Sequence, residues 1–232
     1  AAYCQPEQRS LKIHWHIGDF IIRYVSYCQS IASGTKRSTK SPRAGRPRSA
    51  ESHDAILAAA LKLLHERGYR SVTIEGIASE AAVGKQTIYR WWRSKAEVIL
   101  EGFARYTAGR IAVPDSGNLQ TDLQVFLTQA FDGLTQESGE VVRGLMSEAL
   151  IDPDFAEAMR DIFIASRRSA LRDILSKGIE RGELASDVDI ELIIDLIYGP
   201  MWYRLLNNHA PLDLKFAEQL SGMIADCMLR TG

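Results

Sequence analysis

The sequence has few cysteines, and they are far apart. Cys4, Cys28 and Cys227 form neither a CxxC pair nor a cluster with histidines. This spacing argues against a disulfide framework and against a structural zinc site. The simplest expectation is therefore a protein of the reducing cytoplasm.

Long apolar runs are missing as well. The longest one near the start covers residues 20–22 and is ended by Arg23, whereas a membrane-spanning helix needs about 18 or more apolar residues. No segment with clear signal-peptide form precedes it. Hydrophobic residues still make up 46% of the 232 residues, enough for the core of one large domain or two small ones. We therefore expect a soluble globular protein.

Residue patterns typical of enzymes do not stand out either. His53, His65 and His209 are scattered, and neither a Ser/His/Asp pattern nor a glycine-rich phosphate loop is found. His14 and His16 lie two apart, which on a strand would place both on one face, but no third ligand is near. We expect no catalytic site, no cofactor and no metal.

The charges are distributed unevenly along the chain. Residues 36–95 hold thirteen Lys and Arg against five Asp and Glu, a net charge of +8, whereas residues 96–232 hold twelve against twenty-two, a net charge of -10. A basic part joined to an acidic remainder indicates that the basic part meets a polyanion. The alternative is that solvated charges are segregated by chance.

The first 44 residues form a poorly defined extension that ends in a basic arm. Residues 1–35 have mixed periodicity and fit a strand, a loosely attached helix or a leader. The stretch "SGTKRSTKSPRAGRPRSA" that follows lacks large apolar residues. Because such a composition cannot build a core, we expect a flexible arm.

Four helices are predicted between residues 49 and 109. The first ends at Gly68, the second begins after the cap residue Thr73, the third covers residues 85–92, and Ser94 caps a fourth that runs to about residue 109. The second and third are short and are joined by a tight turn, with a small residue, Ala78, at their closest approach. This spacing is typical of a helix-turn-helix.

These residues carry a family resemblance. The segment "GRPRSAESHDAILAAALKLLHERGYRSVTIEGIASEAAVGKQTIYRWWRSKAEVI", residues 45–99, resembles the DNA-binding domain of the TetR (tetracycline-repressor-like) family of bacterial transcriptional regulators. Two residues depart from the family pattern: Ala82 stands where glycine is usual, and Gly84 stands where serine often caps the third helix. If position 82 needs a positive φ, the turn is strained by about 1 to 2 kcal/mol.

The resemblance implies an all-α fold. A three-helix DNA-binding domain, residues 45–97, would be followed by a larger helical ligand-binding and dimerisation domain, residues 98–232. The implied partners are double-stranded operator DNA, a small-molecule ligand and a second copy of the chain. The function implied is a repressor released from its operator by the ligand. Alternatives are a ligand-binding bundle or an enzyme without specific DNA binding, a regulator without a ligand, or an activator.

The third helix would supply most of the DNA contacts, with Ile88 facing the core and Gln86 placed to read adenine. By resemblance, Tyr89 and Lys95 contact phosphates. The basic arm could lie along the minor groove or act as a tail that only raises non-specific affinity. The DNA-contacting candidates are Arg46, Arg48, Thr73, Lys85, Gln86, Thr87, Tyr89, Arg90, Trp91 and Lys95. We expect Trp92 to be core and Arg93 to be solvated, with Trp91 either at the surface or on a phosphate or sugar.

The acidic part is predicted to hold five further helices, at about residues 119–136, 139–151, 154–182, 188–208 and 212–230. Aromatic residues and methionines recur on their inner faces, where they either fill a core or line a pocket. The ligand-binding candidates are Phe103, Tyr106, Phe126, Met146, Phe163 and Trp202. Apolar positions of the last two helices are assigned to a two-fold dimer interface, with core packing as the alternative: Leu192, Leu196, Leu220, Ile224 and Met228.

Overall fold

The computed structural model describes residues 47–108 and 112–229, and within these residues the chain is helical without a strand. The N-terminal helices are α1 (Pro47–Ser71), α2 (Ile74–Glu80), α3 (Lys85–Tyr89) and α4 (Lys95–Thr107). The C-terminal helices are α5 (Leu119–Gly133), α6 (Gly139–Ala149), α7 (Pro153–Met159), α8 (Ala165–Glu180), α9 (Ile190–Asn207) and α10 (Leu214–Leu229). The predicted all-α architecture is confirmed.

Two π-helical turns extend the helices of the C-terminal part. Leu134–Ser138 joins α5 to α6, and Arg160–Ile164 joins α7 to α8. The predicted break between residues 136 and 139 is therefore wrong, because the chain stays helical through this turn. The second turn lies inside the single helix predicted at about residues 154–182. Each π turn adds a residue to the helical repeat and rotates the faces that follow.

Side-chain caps begin the helices where the sequence predicts them. The Thr73 hydroxyl accepts a hydrogen bond from the amide of Gly76 at 3.0 Å, and the Ser94 hydroxyl accepts from the amide of Glu97 at 3.3 Å. Each cap satisfies one of the free N–H groups at a helix start. The third helix is shorter than predicted: it ends at Tyr89, since the chain must turn before the extended backbone of Ser94.

One hydrophobic core runs through both parts of the molecule. Ile56 of α1, Ile77 of α2 and Ile88 of α3 are fully buried together beneath the helix-turn-helix. Ile99 and Phe103 of α4 continue this core into the C-terminal helices. The helix α4 is therefore packed at one end against α1 and at the other against the C-terminal bundle.

The end of α1 docks directly on α6. A Cβ atom added at Gly144 would lie only 2.4 Å from the ring of Tyr69, so a glycine is required for the two helices to approach this closely. The Tyr69 hydroxyl is buried without a hydrogen-bond partner among the described residues, and burial raises the pKa of Tyr69 to about 12. Gly68 interrupts α1 here with a φ of 71°, consistent with the predicted helix end.

None of the helices within residues 47–108 and 112–229 combines the length and the apolar character that a bilayer span requires.

Several predicted features lie outside the described residues: the His14/His16 pair, Cys4 and Cys28, Arg46, and the side chains of Arg48, Cys227 and Met228.

Candidate nucleic-acid interface and ligand cavity

The short helix α3 presents a polar face to solvent. The side chains of Lys85, Gln86, Tyr89 and Arg90 are exposed, and Tyr89 is 53% accessible. Ile88 is completely buried in the hydrophobic core that α3 shares with α1 and α2. We call these four exposed residues the α3 face. Thr87 lies half-buried beside it.

The turn between α2 and α3 sets the angle of this face. Ala82 has a φ of 52°, in the left-handed region, so the strain of about 1 to 2 kcal/mol expected for a non-glycine residue applies. The turn is closed by backbone hydrogen bonds from Ala82 to Ser79 and from Val83 to Ala78. Gly84 begins α3 without a side-chain cap. Both departures from the family pattern are therefore visible in the geometry.

An ion pair ties the first residue of α3 to the first turn of α2. The Lys85 ammonium lies 2.9 Å from a carboxylate oxygen of Glu75. The hydrogen bond lowers the pKa of Glu75 and raises that of Lys85. Both side chains are largely solvated, so the pair adds little to folding stability. Its effect is to hold Lys85 beside the carboxylate of Glu75.

The structure gives Lys95 a role different from the predicted phosphate contact. Its ammonium donates to the carbonyl oxygens of Tyr69, Arg70 and Val72, at 3.2, 3.5 and 2.9 Å. A lysine has three N–H donors, so all of them are used inside the protein. In this structure Lys95 therefore links the end of α1 to the start of α4, and its phosphate contact stays a prediction.

The two tryptophans after α3 differ in burial. Trp92 is 5% exposed and donates its indole N–H to Glu101 at 2.8 Å, which confirms the predicted core position. Trp91 is half-buried, with the guanidinium of Arg90 4.7 Å from its ring centre and the ring of His53 at 5.3 Å. This contact holds Arg90 against the protein surface, at the edge of the α3 face.

Arg93 is solvated, as predicted, and also bridges the two parts of the chain. Its side chain is 75% exposed, and its guanidinium lies 2.6 Å from a carboxylate oxygen of Asp154 at the start of α7. The pairing raises the pKa of Arg93. Because both partners are in water, this pair is a weak second link beside the Tyr69–Gly144 contact.

A cavity of about 470 Å³ lies inside the C-terminal bundle, between α4, α5, α8 and α9 and bordered by both π turns. Five of the predicted ligand-binding residues line it: Phe103, Tyr106, Phe126, Phe163 and Trp202. Met146 does not; it packs half-buried against the core, while Val142, one turn earlier on α6, reaches the cavity. We call this space the central cavity.

The polar groups of the central cavity were not predicted from the sequence. They include Arg167, Arg168, Tyr198 and Thr107. The Arg167 guanidinium donates to the hydroxyls of Thr107 and Ser166 and lies 4.1 Å from the ring centre of Phe163. In the sequence, Phe163 and Arg167 are four residues apart, which would place both side chains on the same face of a regular α-helix. The π turn at Arg160–Ile164 changes the helical repeat here, so this spacing alone does not show which face meets the cavity.

A second cavity, of about 610 Å³, lies between α1 and the C-terminal bundle, beside the contact of Tyr69 with Gly144. It is lined by His65 and Gly68 of α1, by Glu140 and Arg143 of α6, and by Arg204 of α9, among others. It shares Phe103, Tyr106, Leu134 and Ser138 with the central cavity. The start of α6 therefore lies between the two cavities: Val142 faces the central cavity, and Glu140 and Arg143 face the second one.

Helix α9 exposes an apolar stripe. Leu192, Leu196, Tyr203 and Leu206 are 54%, 47%, 61% and 44% exposed, and their spacing places them on one helix face. Leu220 and Ile224 of α10, also predicted to form a dimer interface, are only 2% and 3% exposed. That assignment is corrected: the apolar face of α10 packs against α5 inside the subunit.

Comparisons with known proteins agree with these features. A family model described as bacterial regulatory proteins, tetR family, matches residues 56–101, and one described as the tetracyclin repressor-like C-terminal domain matches residues 113–224. The uncharacterised HTH-type transcriptional regulator YdeS of Bacillus subtilis (strain 168) is 44% identical over 162 residues, covering 70% of this chain and 82% of YdeS.

Two further relatives span the same regions. A DNA-binding transcriptional repressor TetR of Mycobacteroides abscessus is 30% identical over 184 residues, covering 77% of this chain and 94% of the relative. The crystal structure of the TetR family regulator SCO0332 is similar, with a TM-score of 0.67 and 31% identity, over 76% of this chain and 97% of that one. The similarity thus extends over both the helix-turn-helix and the bundle that contains the central cavity.

Proposed function

The chain belongs to the TetR family of bacterial transcriptional regulators, and we propose that its α3 face reads an operator while the central cavity holds the ligand that releases it. It is a sequence-specific DNA-binding regulator of the repressor type. The observation that carries the proposal is the exposed α3 face on a domain packed directly against the helix that borders the cavity.

The residues of the α3 face divide into those that read bases and those that hold phosphates. Gln86 is exposed in the first turn, where its amide can donate to and accept from one adenine at once. Tyr89 and Arg90, further along the face, bind phosphates. The Thr73 hydroxyl accepts the cap hydrogen bond and still has its own O–H to donate to another phosphate. Lys85 exchanges Glu75 for a phosphate when DNA binds.

Two chains would pair through the apolar stripe on α9. Leu196 lies near its centre and is 47% exposed in one subunit, and Gly199 beside it leaves room for a second helix. To bind an operator, such a dimer must carry its two α3 helices on one side. Their separation must come close to one DNA turn, about 34 to 36 Å, for both to enter the major groove.

Sedimentation of Leu196→Glu tests this interface. We expect the native chain to be a dimer at micromolar concentration and the variant to be a monomer, because each interface would bury two unpaired carboxylates. Leu150→Glu is the matched control, since Leu150 is 81% exposed at the end of α6 and outside the stripe. A native monomer, or equal effects of the two substitutions, would overturn the interface.

The contact between Tyr69 and Gly144 provides a route from the cavity to DNA. Val142 of α6 lines the central cavity, and Gly144 of the same helix receives Tyr69 from α1. A ligand that moves α6 therefore moves the helix-turn-helix. Release follows only to the extent that the ligand prefers the arrangement with the lower DNA affinity.

Selection of bound sequences from a random duplex library tests the function itself. We expect an inverted repeat with half-sites about one DNA turn apart, and Gln86→Ala should lower the preference for it over random duplex by about 1 to 3 kcal/mol. Gln120→Ala, an exposed change on α5, should leave the preference unaltered. No enriched sequence, or an unchanged preference in Gln86→Ala, would reject the proposal.

A further inference from the structure

Two consecutive arginines of α8 line the central cavity but differ in their partners. Arg168 is neutralised: its guanidinium lies 2.5 Å from Asp195 and 2.6 Å from Glu191. Arg167 has no carboxylate within ion-pairing distance among the described residues and bonds only to the neutral hydroxyls of Thr107 and Ser166. Among the described residues, Arg167 is therefore an arginine of the cavity lining without a carboxylate partner.

Arg167 is half-buried, so its charge is partly removed from water without a counter-charge beside it among the described residues. Burial lowers the pKa of Arg167, which reflects the loss of water around the guanidinium, yet an arginine stays protonated in proteins. Buried charges are normally paired with an opposite charge or bound to one from outside. The ring of Phe163 and the hydroxyl of Thr107 hold the guanidinium in one orientation without neutralising it.

A second unsatisfied polar group lies in the lining of the same cavity. The hydroxyl of Tyr198 is buried without a hydrogen-bond partner among the described residues. Burial raises the pKa of Tyr198, while the positive charges of Arg167 and Arg168 act against that rise. Tyr198 and Arg167 both line the central cavity. A neutral tyrosine in such a place is a free hydrogen-bond donor, and buried donors in native proteins normally have an acceptor.

The remaining surface of the cavity is mostly apolar. The rings of Phe103, Phe126, Phe163 and Trp202, together with Met201, supply this surface. The volume of about 470 Å³ is in the range of small-molecule pockets. A largely apolar occupant therefore fits the cavity.

We propose that the central cavity binds an apolar small molecule that ends in a carboxylate, with Arg167 binding the carboxylate and Tyr198 donating a second hydrogen bond to it. A planar carboxylate matches the paired N–H groups of a guanidinium, which can be bound by two parallel hydrogen bonds. A cationic ligand is disfavoured because Asp195, the acidic residue of the lining, is already engaged by Arg168. The inference names the ligand class of the function proposed above and rests on it.

Matched pairs of probes test the ligand class. Calorimetry with the full chain would compare decanoate with decanol, and biphenylcarboxylate with biphenylcarboxamide. We expect the carboxylate of at least one pair to bind about tenfold to a hundredfold more tightly than its neutral partner, as expected when charged hydrogen bonds are added. If neither carboxylate binds, or if both neutral partners bind equally well, the inference is wrong.

Substitutions identify the group responsible. Arg167→Gln should remove the preference for the carboxylate but keep binding of the neutral probe, which also shows that the variant is folded. Arg167→Lys should retain part of the preference, because the charge remains while the paired N–H geometry is lost. Arg172→Gln is the matched control: it removes a charge from the same helix at a residue that pairs with Glu191 outside the cavity lining. A preference that survives Arg167→Gln would contradict the assignment.

Operator binding separates this inference from the proposed function. If a carboxylate binds through Arg167 but the selected duplex stays bound, the ligand class is correct, and the proposal that a ligand in the central cavity releases the operator is wrong. If the neutral partner of a pair releases the duplex as well as its carboxylate does, the function holds and the ligand class is wrong.

Discussion

The α3 face and the central cavity are built in opposite ways. The α3 face comes from a segment of six consecutive residues, Lys85 to Arg90, held by one buried side chain and by backbone hydrogen bonds of the turn before it. The central cavity is assembled from five helices and two π turns that are spread over about 100 residues of the chain. The first depends on a few local interactions and the second on the packing of the whole bundle, so they should respond differently to substitution.

The largest effect is expected at the single anchor of the α3 face. Ile88→Ala removes a fully buried side chain and should lower the free energy of unfolding by about 2 to 5 kcal/mol, measured by chemical denaturation. Ile162→Ala, at a residue that is 43% exposed, should change it by less than about 0.5 kcal/mol. A similar loss in both variants would show that α3 does not depend on this anchor.

A smaller effect is expected where the two regions meet. Gly144→Ala would place a Cβ atom 2.4 Å from the Tyr69 ring, and overpacking of this kind costs about 1 to 3 kcal/mol. In a Tyr69→Ala background the same substitution should cost much less, since the clash is gone, and a double-mutant cycle measures the difference. Gly133→Ala serves as the control because an added Cβ meets nothing within 4 Å there. Additive effects of Gly144→Ala and Tyr69→Ala would mean that the contact is absent.

The smallest effect is expected in the turn before α3. Ala82→Gly removes the strain of a left-handed alanine and should raise the free energy of unfolding by up to about 1 kcal/mol, seen as a higher melting temperature. Ala81→Gly, one residue earlier at a φ of -79°, should instead lower stability by about 0.5 to 1 kcal/mol. If both substitutions destabilise the protein equally, the left-handed conformation at Ala82 is wrong.

The same contrast explains which predictions from the sequence succeeded. The caps Thr73 and Ser94 and the anchor Ile88 are local features, and the pattern of neighbouring residues is enough to find them. The positive φ at Ala82 is expected only on the condition that the turn follows the family resemblance, and the structure meets that condition. Lys95 is different: its contacts are with carbonyls at the end of α1, 23 to 26 residues away. No local pattern reports that its donors are already occupied.

The cavity could be predicted only in part. Aromatic residues on inner faces identify a lining such as Phe126 and Trp202, because such residues are buried wherever the helices pack. The sequence does not show that Arg168 pairs with a carboxylate while Arg167 does not. Which of the two faces Asp195 depends on the rotation of α8 after a π turn, and the sequence has no clear pattern for that turn. Helical periodicity likewise identifies the apolar face of α10 at Leu220, but it does not show that α5 covers this face.

Coupling between the two regions is the central claim, and one measurement tests it most directly. The affinity for decanoate or biphenylcarboxylate, whichever binds more tightly, would be measured by calorimetry on the free protein and on the protein saturated with the selected duplex. Because coupling between sites is reciprocal, we predict weaker binding in the complex, by the same factor by which the carboxylate weakens duplex binding. Equal affinities in the two states would contradict the account.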